Sequence, residues 1–185
     1  MIDARRRCAA SLRAGFALLA LLALAAGCRM PRDTAAVVDG RAVPAAVLEE
    51  EVRSLTAGFD PADPALAREL PRIRRAVLER LIDRELMLEE AERRGLRPDT
   101  GEVERALAAA GGRLPGGELE AALSRAGTDR ERWRRAAERD LIVARLQEQL
   151  GAAVPGDGRE AAFRAWLAAA RRSAAIRYNR SLVPE

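Results

Sequence analysis

The sequence predicts a mainly α protein: a compact helical domain in which a minor two-stranded antiparallel sheet joins the N- and C-terminal ends. Alanine, leucine, glutamate and arginine, which favour helices, dominate the 185 residues, whereas aromatic residues make up only 3%. In residues 73–95, apolar side chains recur at three- and four-residue steps with charged residues between them, as in a long amphipathic helix. Because such a broad apolar face needs cover, the other helices are expected to pack around this one.

Residues 1–27 are predicted to be an export signal. Four arginines near the start precede an apolar run over residues 16–26, which is too short to cross a membrane and suits a cleaved signal. Residues 28–35 then form a short polar tether, with a reach of at most roughly 25 Å when extended. The folded domain is expected to span residues 36–180 and to stay near its membrane.

Cys28 is the predicted lipid-attachment site. The run LAAGC that ends at Cys28 is similar to a bacterial lipobox, in which the cysteine is diacylated, with palmitate, and becomes the mature N-terminus; Ala25 stands where the motif prefers leucine. Ordinary cleavage after residues 23–25 is the alternative. Because Cys8 would leave with the signal, Cys28 would be a lone thiol in an oxidising compartment, which lipidation explains and ordinary cleavage does not. Arg29 in the next position favours the outer membrane, facing the periplasm.

The N-terminal part of the domain is predicted to alternate short elements with turns. Residues 36–44 read as a strand, an Asp-Gly turn and a helix entry at Pro44, followed by a helix over about 44–57. A second helix begins at Asp63-Pro64, and Pro71 is expected to break or kink it before the central helix.

Beyond the central helix, glycines and caps mark the element ends. Gly95 ends the central helix, and Asp99 with Glu102 forms a capping box for the next helix. A glycine-rich loop over 111–117 precedes a short helix that ends at Gly127. A second capping box, from Thr128 to Glu131, opens a helix that reaches about Leu150.

The C-terminal segment is predicted to return to the start of the domain. After a linker over residues 151–158, a helix carries apolar residues at Phe163, Trp166, Leu167 and Ala170, and residues 174–178 read as a strand. The strand is expected to pair with Val37 and Val38. The aromatic pair of the helix is expected to pack on the central helix near Leu81 and Leu88.

Composition excludes several classes of function. The chain has no histidine and no cluster of cysteines, so no metal site, cofactor or cysteine nucleophile is predicted. All 32 basic residues are arginine, but residues 1–27 contain four of them and one aspartate, which leaves 28 basic and 27 acidic residues. Because these charges interleave along the helices, the sequence indicates solvated helix faces with no nucleic-acid partner.

The run LERLIDRELMLEEAERRGLRPDTGEVERAL, residues 78–107, resembles the N-terminal domain of the SurA-type periplasmic chaperones, which are related to the PrsA and PpiD foldases. The matching positions are Leu78, Leu81, Ile82, Asp83, Leu86, Leu88, Glu90, Ala91, Gly95, Leu96, Glu102 and Val103. The resemblance extends over about residues 36–180. It implies that the 151–158 linker stands where the family usually inserts a parvulin isomerase domain, whose histidine-containing pocket this chain lacks.

The resemblance therefore implies a non-catalytic, membrane-anchored chaperone whose partners are unfolded or partly folded exported polypeptides, including outer-membrane clients. Two alternatives stay open: an accessory or scaffold lipoprotein that binds one folded envelope partner, and a peptidyl-prolyl isomerase, which only the family name suggests. Apolar residues near loops are the candidates for client contact. They are Phe59, Leu66, Leu70, Leu114, Leu119 and Leu123.

Overall fold

The computed structural model describes residues 30–112, 119–125, 127–152 and 158–183. In this part of the chain it contains three strands and six helices, which confirms the mainly α class. The strands are β1 (Thr34–Val38), β2 (Arg41–Pro44) and β3 (Ile176–Tyr178). The helices are α1 (Ala45–Thr56), α2 (Pro64–Arg93), α3 (Thr100–Gly111), α4 (Leu119–Arg125), α5 (Arg130–Gly151) and α6 (Gly158–Ser173).

The sheet is antiparallel with strand order β2-β1-β3, so it has one strand more than predicted. The added strand is β2, which pairs with β1 and buries Val43 after the Asp-Gly turn. Both turn residues have positive φ, 47° at Asp39 and 88° at Gly40, as a tight two-residue hairpin requires. β1 also pairs with β3, with Val37 opposite Arg177 and Val38 opposite Ile176, which confirms that the two ends of the domain meet.

The turn residue Asp39 also fixes the approach to β3. Its carboxylate Oδ1 accepts a hydrogen bond from the Ala175 amide at 2.7 Å, and its own amide donates to the Ala175 carbonyl at 3.2 Å. One residue therefore holds the hairpin turn and the returning segment together. Past β3, the Asn179 side chain donates to the Thr34 carbonyl at 2.8 Å, and Val183 returns to the core.

The core is built between the sheet, α1 and the middle of α2. Its largest fully buried side chains include Leu48 of α1, Leu78 and Ile82 of α2, and Val38 of β1. This confirms that the periodic face of the central helix is covered by the rest of the domain. Every residue of β1 is buried, so this strand is part of the core and the sheet covers one side of it.

The prediction that Pro71 breaks the helix is wrong, because α2 runs without interruption through Pro71 for 30 residues. Proline in a helix interior removes one hydrogen bond and normally costs about 3 kcal/mol. Leu70 and Ile73, on either side of Pro71, both pack against the core. This tertiary packing on both sides of the proline favours a continuous helix over the local break.

The helix ends follow local signals with one exception. Gly95 has φ +69°, its amide donates to the Glu92 carbonyl, and the Leu96 amide donates to the Ala91 carbonyl, which is a Schellman cap. The Asp99 capping box is present as predicted. At α5, however, the N-cap is Asp129, whose side chain accepts from the Arg132 amide. The helix is therefore capped by Asp129, one residue later than the predicted Thr128.

The returning helix α6 contacts the core through Leu167 and Ala170, and none of its residues is fully buried. Phe163 and Trp166 are also half-buried and stack on each other with ring centroids 6.0 Å apart. The packing of this aromatic pair near Leu81 and Leu88 stays a prediction.

Candidate functional site

An open groove of about 380 Å3 lies between α1 and α2, on the side where the loop over residues 57–63 joins them. This volume is at the lower end of the range for ligand pockets, and it suits one or two large side chains. Its lining residues are Glu49, Val52, Arg53, Thr56, Phe59, Pro61, Leu66, Ala67, Leu70 and Arg74. We call it the α1–α2 groove.

The two helices supply the walls of the α1–α2 groove through their ordinary periodicity. The α1 lining residues are spaced at i, i+3, i+4 and i+7, starting from Glu49, so they share one face of that helix. Val52 is buried and forms part of the apolar floor. From α2, Leu66 and Leu70 are one turn apart and are half-buried.

Phe59 is the most exposed large apolar side chain at the α1–α2 groove, with 60% of its surface accessible. Its loop is nevertheless well bonded. The Phe59 amide donates to the Thr56 carbonyl at 3.0 Å, the Asp63 amide donates to the Asp60 carbonyl at 3.0 Å, and Asp60 Oδ1 accepts from the Ala62 amide at 2.9 Å. The loop therefore presents an aromatic ring to solvent from a backbone held on both sides.

The α1–α2 groove carries an excess of positive charge on its lining. Arg74 Nη2 lies 2.7 Å from Glu49 Oε2, so these two charges compensate each other. Arg53, which is exposed, has no ion-pair partner among the described residues. The nearby carboxylate of Asp63 accepts the Ala65 amide at 2.7 Å and caps α2. Arg53 thus remains as an unpaired cation on the wall.

Pro71 removes one helix hydrogen bond near the groove. Ala67 would normally accept a hydrogen bond from the amide of residue 71, four positions later, but Pro71 has no N–H group to donate. The lining itself combines an apolar floor with an unpaired cation.

The structure brings three of the predicted client-contact residues together, and Leu119 and Leu123 lie apart from them. Phe59, Leu66 and Leu70 all line the α1–α2 groove. Leu123 is buried with 7% exposure. Leu119, the first residue of α4, lies beside the last residue of α3, because a Cβ on Gly111 would be 3.4 Å from its Cδ2. These two leucines pack within the domain and do not join the groove. Leu114 and Cys28 lie outside the described residues.

Sequence reasoning missed the polar part of the groove. Arg53, Arg74 and Glu49 look like ordinary members of charged helix faces, and only the crossing of α1 over α2 places them beside the leucines. The one available signal was the shared face of Glu49, Val52, Arg53 and Thr56.

A second groove, of about 340 Å3, lies between α3 and α5. Four of its eight lining residues are alanines, Leu107, Trp133 and Leu141 are the larger apolar ones, and its one charged residue is Asp140, which lies 3.7 Å from Arg84. Trp133 and Leu141 are half-buried. This groove has no exposed aromatic ring comparable to Phe59.

The main ionic cluster lies away from both grooves and joins α6 to α2. Arg171 Nε donates to Asp83 Oδ1 at 2.5 Å, and its two terminal nitrogens donate to Glu79 Oε2 at 2.6 Å and to the Glu79 carbonyl at 2.9 Å. The hydrogen bond to Asp83 is the main cause that raises the pKa of Arg171 above its usual range. We call this set the Arg171 clamp, and its geometry is that of a structural anchor.

The described residues offer little for other chemistry. Among them, no group of three or more histidine, cysteine, aspartate or glutamate side chains is placed to hold a metal ion. Within the same ranges, no helix has both the length and the apolar character that crossing a membrane requires. Burial raises the pKa of Glu85, a residue of α2 that lies 3.7 Å from Arg41.

Comparison with known families gives one match. The model described as a SurA-like N-terminal domain matches residues 1–147, which ends within α5. No curated protein matches the chain. The matched range includes the whole α1–α2 groove, whereas α6 and β3 lie beyond it.

Proposed function

Because the chain belongs to the family of SurA-like N-terminal domains, we propose that it is a non-catalytic chaperone that binds unfolded exported polypeptides. Domains of this family are chaperone-type domains and are typically periplasmic. The observation that carries the proposal is Phe59, an exposed aromatic ring held on a bonded loop at the edge of an apolar groove.

The α1–α2 groove has the features that suit an extended client segment. An apolar side chain of the client gains free energy by leaving water against Val52, Leu66 and Leu70, at roughly 25 cal/mol per Å2 of apolar surface buried. This gain does not depend on one particular sequence, which is what binding to many unfolded clients requires.

Photo-crosslinking tests the proposal directly. A photoreactive amino acid at position 59 should crosslink to a chemically unfolded client and not to the same client in its native state. The matched control is position 55, because Leu55 is 51% exposed on α1 but does not line the groove. Equal crosslinking from positions 55 and 59, or crosslinking only to native proteins, would contradict the proposal.

The same experiment separates the alternatives. A scaffold lipoprotein would give one dominant crosslinked product with a folded envelope partner, independent of client unfolding. A peptidyl-prolyl isomerase would accelerate the cis-trans exchange of a prolyl peptide. We expect no such acceleration, because the chain contains no histidine for a parvulin-type pocket.

We also propose that the chaperone is anchored in the outer membrane through lipid on Cys28 and faces the periplasm. The support is the lipobox-like run that ends at Cys28, with Arg29 after it. Chain-linked acyl groups hold a protein at a membrane without spanning it. The intact mass of membrane-extracted protein tests this: the mature chain should begin at an acylated Cys28, and Cys28→Ala should abolish the acylated form. An unmodified cysteine would remove the anchor.

A further inference from the structure

We infer that the α1–α2 groove selects client segments in which an aspartate or glutamate lies two residues from a large apolar side chain. This inference rests on the proposed function and specifies the class of segment that it favours. It follows from the position of one unpaired cation, Arg53, relative to the apolar floor and to Phe59.

The charges on the groove lining favour an anion. Glu49 is already engaged by Arg74 at 2.7 Å, so it neither repels a client carboxylate strongly nor attracts a client cation. Arg53 has no acidic partner among the described residues and lies on the same wall. A carboxylate that enters the groove would therefore pair with a guanidinium that has no ion pair to give up.

The spacing follows from helix and strand geometry. Arg53 is three residues before Thr56, whose carbonyl anchors the amide of Phe59. The cation is therefore about one helical turn, roughly 5 Å along the axis, from the start of the loop. In an extended peptide, residues i and i+2 point to the same side and are roughly 6.5 Å apart. A client side chain seated beside Phe59 would thus place one of its two neighbours, at i−2 or i+2, near Arg53.

The carboxylates of the adjoining loop are not part of the groove lining. Asp60 and Asp63 each accept a hydrogen bond from a backbone amide, those of Ala62 and Ala65, which stabilises the loop and the start of α2 but leaves both carboxylates charged. The lining itself contains Arg53 and Arg74 against Glu49, so its net charge is positive.

The test compares three fluorescent peptides that share one phenylalanine and differ only at positions i−2 and i+2, which are both aspartate, both asparagine or both arginine. Binding to the full chain in detergent micelles is followed by fluorescence anisotropy, with protein-free micelles measured alongside. The aspartate peptide should bind about three- to fivefold more tightly than the asparagine peptide at low salt, since an exposed ion pair contributes modestly. The arginine peptide should bind most weakly, and the differences should shrink in high salt.

Variants assign the preference to one side chain. Arg53→Gln should remove the difference between the peptides, and Arg53→Glu should reverse it in favour of the arginine peptide. Arg68→Glu is the matched control, because Arg68 is an exposed arginine on α2 that does not line the groove. An equal effect of Arg68→Glu would overturn the assignment to the groove.

The outcomes distinguish the inference from the function on which it rests. If the three peptides bind equally well, and Phe59→Ala weakens the binding of all three, the groove binds clients but does not select them by charge. If no peptide binds the folded chain above the micelle background, both the selectivity and the client groove are wrong.

Discussion

Removing the Arg171 clamp should destabilise the whole domain, because it is the charged link between α6 and α2. Arg171→Met keeps a long apolar stem but removes three hydrogen bonds, to Asp83 and to the side chain and carbonyl of Glu79. The Arg171 side chain is 30% exposed, so each bond is assigned about 1 kcal/mol, below the range for fully buried charged partners. The two acids, four residues apart, would then repel each other by roughly 0.2–0.5 kcal/mol. We expect a total loss of about 3 kcal/mol in the free energy of unfolding.

Urea unfolding followed by circular dichroism measures this loss. The matched control is Arg164→Met on the same helix, where the arginine pairs with Glu160 and both side chains are largely exposed. That variant should change the free energy of unfolding by less than about 0.5 kcal/mol. If Arg171→Met costs no more than Arg164→Met, the clamp does not hold the C-terminal segment. In a Glu79→Gln background, the effect of Arg171→Met should be smaller, because part of the interaction is already gone.

Three further predictions concern single residues whose structure departs from a local rule. Pro71→Ala should raise the free energy of unfolding by about 1–3 kcal/mol, because it supplies the missing helix amide; a loss would argue against a continuous α2. Asp39→Asn should leave the free energy of unfolding nearly unchanged, since asparagine tolerates positive φ and keeps an acceptor for the Ala175 amide. Asp39→Val should lower the free energy of unfolding by about 2–4 kcal/mol, because valine does neither. Equal stabilities of the two variants in urea unfolding would contradict this. Burial raises the pKa of Glu85 in the folded state above its value in the unfolded chain. The stability that follows from this shift is fully present below about pH 4.3, the pKa of an unfolded glutamate, and is lost as pH rises through the raised pKa. Glu85→Gln should therefore match the parent near pH 4 and exceed it in stability at pH 7; a less stable variant at pH 7 would show that the pairing with Arg41 outweighs burial.

The elements of this fold were predictable where the signal is local. The apolar period of α2, the positive φ of Gly95 and the Asp99 capping box each depend on a few neighbouring residues, and all three hold in the structure. The pairing of β1 with β3 was also predictable, because two short strands need each other for stability.

What the sequence did not reveal depends on contacts between distant segments. Pro71 stays helical because Leu70 and Ile73 are both held by the core, which no local rule for proline includes. Likewise, α6 contacts the core through Leu167 and Ala170, whereas Trp166 stays partly exposed beside its partner ring Phe163. The α1–α2 groove could be predicted only in part for the same reason. Its leucines could be guessed from their nearness to loops, but the place of Arg53 beside them depends on how the two helices cross.

The two tasks of α2 are separated along its length, and this separation can be tested. Leu66, Ala67, Leu70 and Arg74 line the α1–α2 groove, whereas Glu79 and Asp83 hold the Arg171 clamp roughly one and a half to two and a half turns later. Phe59→Ala removes a mostly exposed ring and should weaken client binding with little change in stability, since little of its surface is buried. Arg171→Met should lower stability but leave peptide affinity unchanged at temperatures where the variant is fully folded. In the double variant the two effects should add, as expected for sites that share no partner. A loss of peptide affinity in folded Arg171→Met would show that the clamp positions the groove as well as the C-terminal segment.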